Sequence, residues 1–260
     1  MLSYQHIYHA GNMADVQKHA LLSWVLAYMT KKDKPLSYME THAGRGLYEL
    51  DSAEAVKTGE AKAGIDIAEK LGWFDADHPY AQALAGVRAK YGANTYPGSP
   101  LIASELLRAE DSLRLAELHP RENEALREVL GNLSVIEKRD GAEMANALCP
   151  PNPRRGVLLI DPSYEMKTDY DAMARLIQTV HRKWNVGVIM LWYPILTDGL
   201  HRPMIRALEQ AITDGAKHEV RFPPAREGHR MVGSGMFVVN APYGLSDEMA
   251  RLTKLYNALS

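Results

Sequence analysis

Two rhythms of apolar residues alternate along this 260-residue chain. Short contiguous hydrophobic runs mark strands buried on both faces of a sheet, and longer stretches with apolar residues every three or four positions mark amphipathic helices. From Asn12 to about Thr30, the recurrence of Val16, Ala20, Leu21, Trp24, Val25 and Tyr28 predicts a helix with Asn12 as N-cap. His19 lies near the buried stripe of that helix and reads as a satisfied, partly buried side chain. Leu36 to Thr41, Leu113 to Leu118, Val135-Ile136, Val157 to Ile160 and Gly187 to Trp192 predict five strands in succession. Helices are expected over about Arg121 to Leu130, Tyr170 to Lys183 and Leu200 to Thr213, with Ser246 capping a last one. Glu219 to Phe222 and Met236 to Asn240 predict an antiparallel hairpin at the sheet edge.

Regular alternation of strand and helix predicts an α/β fold with a mostly parallel sheet. One segment breaks the rhythm. Residues 53–95 are rich in Ala, Glu, Lys and Leu at helical spacing, with Ile65, Ala68 and Leu71 and then Leu84, Val87 and Tyr91 as the apolar positions. They predict a helical subdomain inserted within a single domain of residues 1–260, preceded by an N-terminal arm of residues 1–12. Ser99 in the turn YPGSP is placed to cap a helix that starts at Pro100 and reaches Arg108.

Composition narrows the class. Hydrophobic and charged contents of 46% and 24% are those of an ordinary globular protein, and no apolar run reaches the length of a membrane span. The N-terminal MLSYQHIYHAGN lacks the basic and then apolar pattern of a secretory signal, so a cytoplasmic location is expected. Cys149 is the only cysteine, which excludes an internal disulfide and cysteine-cluster metal sites. His6, His9 and His19 with Asp15 lack familiar metal-ligand spacings, and no metal is expected. A net charge of −2 means that any polyanion contact must come from a local patch.

Candidate chemistry collects where the strands end. The first strand runs into His42-Ala43-Gly44-Arg45-Gly46, a glycine loop of the kind that lets backbone approach a nucleotide. It lacks the third glycine of a dinucleotide site, and Glu40 near the strand end suits a methyl-donor site better. Glu117 ends the second strand, where a carboxylate can take both hydroxyls of a ribose. Asp140-Gly141 ends the third, either as a simple turn or as a neighbour of an adenine ring. The fourth strand stops at Asp161-Pro162-Ser163-Tyr164, which reads either as a turn or as a site for a planar polar ligand. In the second reading Asp161 and the Pro162 carbonyl accept hydrogen bonds and Tyr164 stacks. The order of these pieces is that of an S-adenosylmethionine-dependent methyltransferase with an amine target.

The motifs MLSYQHIYHAGNMADVQKH, THAGRGLY, YPGSP, ELHP, RDG and DPSYEMKTDY together resemble the ribosomal RNA large subunit methyltransferase J family. The resemblance implies a Rossmann-like class I methyltransferase sheet that transfers a methyl group to N6 of one adenine in 23S ribosomal RNA, acting as a monomer without a stable protein partner. Carried onto this chain, it implies S-adenosylmethionine contacts from His19, His42, Ser99, Glu117, Asp140, Gly141 and Asp161. Asp161, Pro162 and Tyr164 would be catalytic, and Tyr4 of the arm would touch the RNA together with Tyr164. The family pattern has a second proline where this chain has Ser163, which bears on the shape of the loop. Lys18, Lys31, Lys32, Lys34, Arg45, Lys167, Arg226, His229 and Arg230 are candidates for an RNA-facing patch, the ordinary role of each being a solvated charge. The competing readings are methylation of DNA adenine or protein glutamine, and a non-catalytic nucleic-acid-binding accessory in the use of external DNA.

Overall fold

The computed structural model describes residues 5–225 and 228–259, so Tyr4 and Arg226 lie outside the described residues. A 3₁₀ turn, His6–Tyr8, leads to helix α1 (Met13–Thr30), strand β1 (Ser37–Glu40) and the short strand β2 (Leu47–Glu49). Four helices follow: α2 (Ala53–Thr58), α3 (Glu60–Ala63), α4 (Ile65–Lys70) and α5 (Pro79–Tyr91). Then come β3 (Thr95–Pro97), α6 (Ser99–Leu106), β4 (Ser112–Ala116), α7 (Pro120–Leu130), β5 (Val135–Glu137) and α8 (Gly141–Leu148). The last part holds β6 (Gly156–Ile160), α9 (Thr168–Lys183), β7 (Val188–Leu196), α10 (His201–Ala211), β8 (Ala216–Arg221), β9 (Met231–Val239) and α11 (Leu245–Asn257).

Seven strands form one sheet in the order β5-β4-β1-β6-β7-β9-β8. The first five are parallel, and β9 runs antiparallel between β7 and β8. This is the Rossmann-like arrangement of class I methyltransferases, with the C-terminal antiparallel pair that the pattern of residues 219–240 predicts. Strand β6 sits in the middle, paired with β1 and β7, and every residue of it is buried. Val157 and Leu159 belong to one hydrophobic layer and Leu158 and Ile160 to the other, so both pleat faces need apolar side chains. That is why the run is contiguous rather than alternating.

The first layer packs α1, α5, α6 and α11 on the sheet, and the second packs α8, α9 and α10. Ile65, Ala68, Trp73, Tyr80, Leu84 and Val87 of the inserted segment join the same cluster as Val16, Ala20 and Leu21 of α1. The insertion is more broken than a hairpin, because Gly59 at φ +66° and then Gly64 interrupt it. Its base is closed by an antiparallel pair of β2 and β3, which is too short to leave a periodic signal. Two caps differ from expectation. Gly98 occupies the N-cap of α6 and Ser99 lies inside the helix, its hydroxyl committed to Glu40; Gly244 in the left-handed region starts α11 in place of Ser246. Among the described residues no helix is long and apolar enough to cross a membrane.

Close packing of α8 on the end of β1 depends on Gly141. A Cβ there would lie 2.0 Å from the Thr41 carbonyl oxygen, which is backbone and cannot step aside. Gly141→Ala is expected to lower stability by about 3 kcal/mol in urea unfolding, at the upper end of overpacking costs. An unchanged midpoint would contradict this packing.

Candidate active site

At the carboxyl edge of the parallel strands lies a cavity of about 270 Å³. Of the residues expected to form a site, His19, His42, Ser99, Glu117, Asp161, Pro162 and Tyr164 line it. Asp140 and Gly141 do not. Asp140 caps α8 by accepting a hydrogen bond from the Glu143 amide at 2.9 Å, and Gly141 is spent on packing.

Asp161 is held from across the fold. Lys18 Nζ donates to Asp161 Oδ2 at 2.6 Å and lies 3.0 Å from Asp15 Oδ1. Lys18 is only 4% exposed, and an unpaired buried ammonium would be costly, so the two carboxylates are what allow it to sit there. Burial acts to lower the Lys18 pKa, but Asp15 and Asp161 outweigh it and hold the ammonium above its ordinary value. For Asp15, burial pushes upward, and the charges of His6, Lys18 and His19 together pull its carboxyl well below the usual range. His6 Nε2 reaches Asp15 Oδ2 at 2.8 Å, and the Gly11 amide donates to the same oxygen at 2.9 Å. Asp161 Oδ1 makes no hydrogen bond among the described residues and is left for a ligand.

The sequence reading missed Lys18 as the partner of Asp161. Its only local sign is the i, i+3 spacing with Asp15 on a helix whose residues are buried almost all round. The expected basic patch at the cavity mouth is also dispersed. Lys18 is internal, Arg45 is paired with Glu122 and Arg230 with Asp198, and Lys31, Lys32 and Lys34 sit at the far end of α1 from Asn12.

Aromatic groups flank the Lys18–Asp161 pair. Tyr164 has φ +52°, a backbone conformation that is costly for a ring-bearing residue and marks a position over-determined by its surroundings. Its hydroxyl donates to the Trp192 carbonyl at 2.9 Å and its ring packs 4.4 Å from Tyr170. Tyr164 is thus pinned with one part of its ring at the cavity. Trp192, which the sequence reading passed over, also lines the cavity, donates to Ser234 at 2.8 Å and has the Lys18 ammonium 5.6 Å from its ring centre.

On the other side of the cavity, burial works against the charged form of each titratable group. Burial pushes the His19 imidazole down to about 3; its Nδ1 meets the Tyr96 hydroxyl at 2.8 Å, and its buried Nε2 has no hydrogen-bond partner among the described residues. Burial likewise lowers His42. Glu40 is fully buried and pushed up to about 8, against the hydrogen bonds it accepts from Ser99 and Tyr38. Glu117 is raised by burial, while its two oxygens accept from the Gly44 amide at 2.8 Å and the His119 amide at 2.7 Å. Each oxygen keeps a second lone pair, enough for a diol. An orphaned imidazole nitrogen, a carboxylate with spare acceptors and a glycine loop fit a nucleoside-bearing cofactor. Among the described residues no group of three or more His, Cys, Asp or Glu could hold a metal ion.

Comparison with known proteins gives one consistent result. The profile of the family described as Ribosomal RNA large subunit methyltransferase D, RlmJ, matches residues 33–258. The chain is 40% identical over 257 residues to Ribosomal RNA large subunit methyltransferase J of Escherichia coli, covering 96% of this chain and 90% of that protein. It is 38% identical over 263 residues to the protein of the same name from Haemophilus influenzae, covering 97% and 92%. A solved structure of a Legionella pneumophila protein superposes with a TM-score of 0.87 at 32% identity, over 96% of this chain and 94% of that one.

The buried Glu40 carboxyl makes a pH-dependent prediction. Its folded pKa of about 8 lies above the ordinary 4.5, so between those values the native state keeps a proton that the unfolded chain has lost. Stability therefore falls as pH rises through that window and levels off above it. Glu40→Gln has no such proton, so its melting temperature relative to the native protein should climb from pH 5 to pH 8. A gap independent of pH would show that Glu40 titrates normally.

Proposed function

The chain belongs to the ribosomal RNA large subunit methyltransferase family described as RlmJ, and on that premise we propose that it transfers a methyl group from S-adenosylmethionine to N6 of one adenine in 23S ribosomal RNA. The observation that carries this reading is the ion-paired Asp161, followed by Pro162 at the end of β6, in one cavity with Glu117, His19 and the glycine loop.

Residues on the donor side divide the work of holding the cofactor. Glu117 suits the ribose hydroxyls, the free His19 Nε2 and His42 offer imidazole nitrogens, and Ser99 acts through Glu40, whose carboxyl it binds. When bound, the cofactor supplies an electrophilic methyl group on a sulfonium. Asp140 caps α8 and Gly141 seats that helix against Thr41 at the rim beside these groups, and both remain proposed cofactor contacts.

An adenine amino nitrogen is a poor nucleophile because its lone pair is delocalised into the ring. Asp161 Oδ1 and the Pro162 carbonyl are the acceptors that can hold its two hydrogens and turn the lone pair out of the ring plane. Lys18 fixes the Asp161 carboxylate through Oδ2, leaving Oδ1 to face the base. As the new N–C bond forms and the S–CH3 bond breaks, an N6 proton becomes acidic; Asp161 Oδ1 holds it by a hydrogen bond, and it is lost to solvent water. Tyr164 and Trp192 give the base apolar surface, a contact worth roughly 1–3 kcal/mol per stacked base. The target must leave its own stack to enter. Tyr4 remains the proposed RNA contact of the arm. Ser163 is exposed and needs no second proline to keep Asp161 in place, since Lys18 already holds that carboxylate.

Asp161→Asn keeps the shape of the acceptor and removes its charge. Transfer of labelled methyl to 23S RNA should fall by more than about a hundredfold, the size of losing one preorganised electrostatic group. Calorimetry should still detect S-adenosylmethionine. Native-level transfer in the variant, or faster transfer by the native protein to duplex DNA or cell protein than to RNA, would overturn this reading.

A further inference from the structure

One carboxylate of the inserted helices bonds side chains of the active-site wall. Glu60, the first residue of α3, is 2% exposed and does not line the cavity. It accepts from His9 Nδ1 at 2.9 Å through Oε1 and from Asn12 Nδ2 at 3.1 Å through Oε2, and His229 Nε2 approaches Oε1 at 3.8 Å. His9, Asn12 and His229 all line the cavity, and they come from the N-terminal turn, the cap of α1 and the approach to β9. Burial would raise the Glu60 pKa, but the hydrogen bonds and charges of His9, Asn12 and His229 hold it below the ordinary value, so it is a carboxylate at neutral pH.

From Glu60 the contacts continue without a gap to the catalytic edge. Asn12, bound to Glu60 by its amide nitrogen, accepts from the Asp15 amide by its oxygen at 2.9 Å. Asp15 pairs with Lys18 at 3.0 Å, and Lys18 donates to Asp161 at 2.6 Å. The backbone around Glu60 is seated as closely. The Ile65 amide donates to the Gly11 carbonyl at 2.8 Å, and a Cβ at Gly64 would lie 2.1 Å from that same oxygen. Thr58 donates its hydroxyl to the Tyr8 carbonyl.

We propose that Glu60 is a positioning residue: the inserted segment serves the reaction by fixing, through this carboxylate, the cap of α1 and hence the Asp15–Lys18–Asp161 array. The inference rests on the methyltransferase reading for its catalytic consequence, but the geometry of Lys18 can be read without any turnover. Glu60 carries this role because it meets three separate wall segments at once. Thr58 meets only backbone carbonyls, those of Tyr8 and of Ala55 in its own helix, and is the natural control.

The test compares the native protein with Glu60→Ala, Glu60→Gln and Thr58→Val. Methyl transfer to 23S RNA is measured at saturating substrates, and the rate of amine labelling of Lys18 is followed by mass spectrometry. Glu60→Ala should lose between about tenfold and a hundredfold in kcat, as a small misplacement of a reacting group costs, with KM for RNA changed by less than about threefold. Lys18 labelling should rise by a similar factor. Glu60→Gln keeps one acceptor oxygen for Asn12 and should recover most of both properties. Thr58→Val loses a hydrogen bond of the same segment and should leave kcat and labelling at native values. Equal labelling of Lys18 in Glu60→Ala and Thr58→Val overturns the inference, as does a Glu60→Ala effect confined to melting temperature. Absence of methyl transfer by the native protein would strike the functional reading alone, since labelling still decides the role of Glu60.

Discussion

The buried ion pair between Lys18 and Asp161 is the constraint on which the rest of this structure depends. An ammonium at 4% exposure is tolerable only with carboxylates beside it, and removing one partner of such a pair typically costs about 3–5 kcal/mol. The pair joins the first helix to the central strand, so it couples the N-terminal segment of the fold to the edge where chemistry occurs. Much of the surrounding architecture makes sense as support for it. Asp15 shares the ammonium, His6 and the Gly11 amide hold Asp15, and the cap of α1 fixes the turn on which these groups stand.

Around that charged array the interior is closely buried. Burial depresses His19 and His42 and raises Glu40 and Glu117, in each case against the charged form. A preorganised carboxylate is worth more in such surroundings than in water, because nothing nearby must reorient when the substrate arrives. One cavity therefore has two characters: a buried, hydrogen-bonding side with Glu117 and the glycine loop, and an ion-paired, oriented acid on the other. Tyr164 and Trp192 complete the second side with ring surface.

Local chemistry made much of the fold legible in the sequence. The contiguous apolar run of β6, the Asn12 cap and the antiparallel pair near the C-terminus follow from burial on two faces, a free amide and a one-sided sheet edge. The sheet-edge residues His42, Glu117 and Asp161 were legible for the same reason, since a strand that ends in a polar residue at that edge points it at the crevice. What escaped was long-range or one residue out of phase. Lys18 and Asp161 are 143 residues apart in sequence, and no periodicity signals their meeting. Ser99 reads as a cap because serine suits that place, yet Gly98 takes it and frees the hydroxyl for Glu40. Asp140 reads as a ligand contact or a turn, and the structure adds a third role that its spacing did not announce, the N-cap of α8. Of the expected basic patch, Arg45 and Arg230 turn out to be paired with acids of other elements, which spacing along the chain cannot reveal.

These features are what the proposed transfer to one adenine requires. The most direct measurement is mass-spectrometric mapping of N6-methyladenine in 23S ribosomal RNA from cells with the gene for this protein, without it, and with it restored. The account predicts a single adenine whose N6-methyl group disappears on deletion and returns with the native gene. An unchanged set of N6-methyladenines in the deleted cells would contradict it.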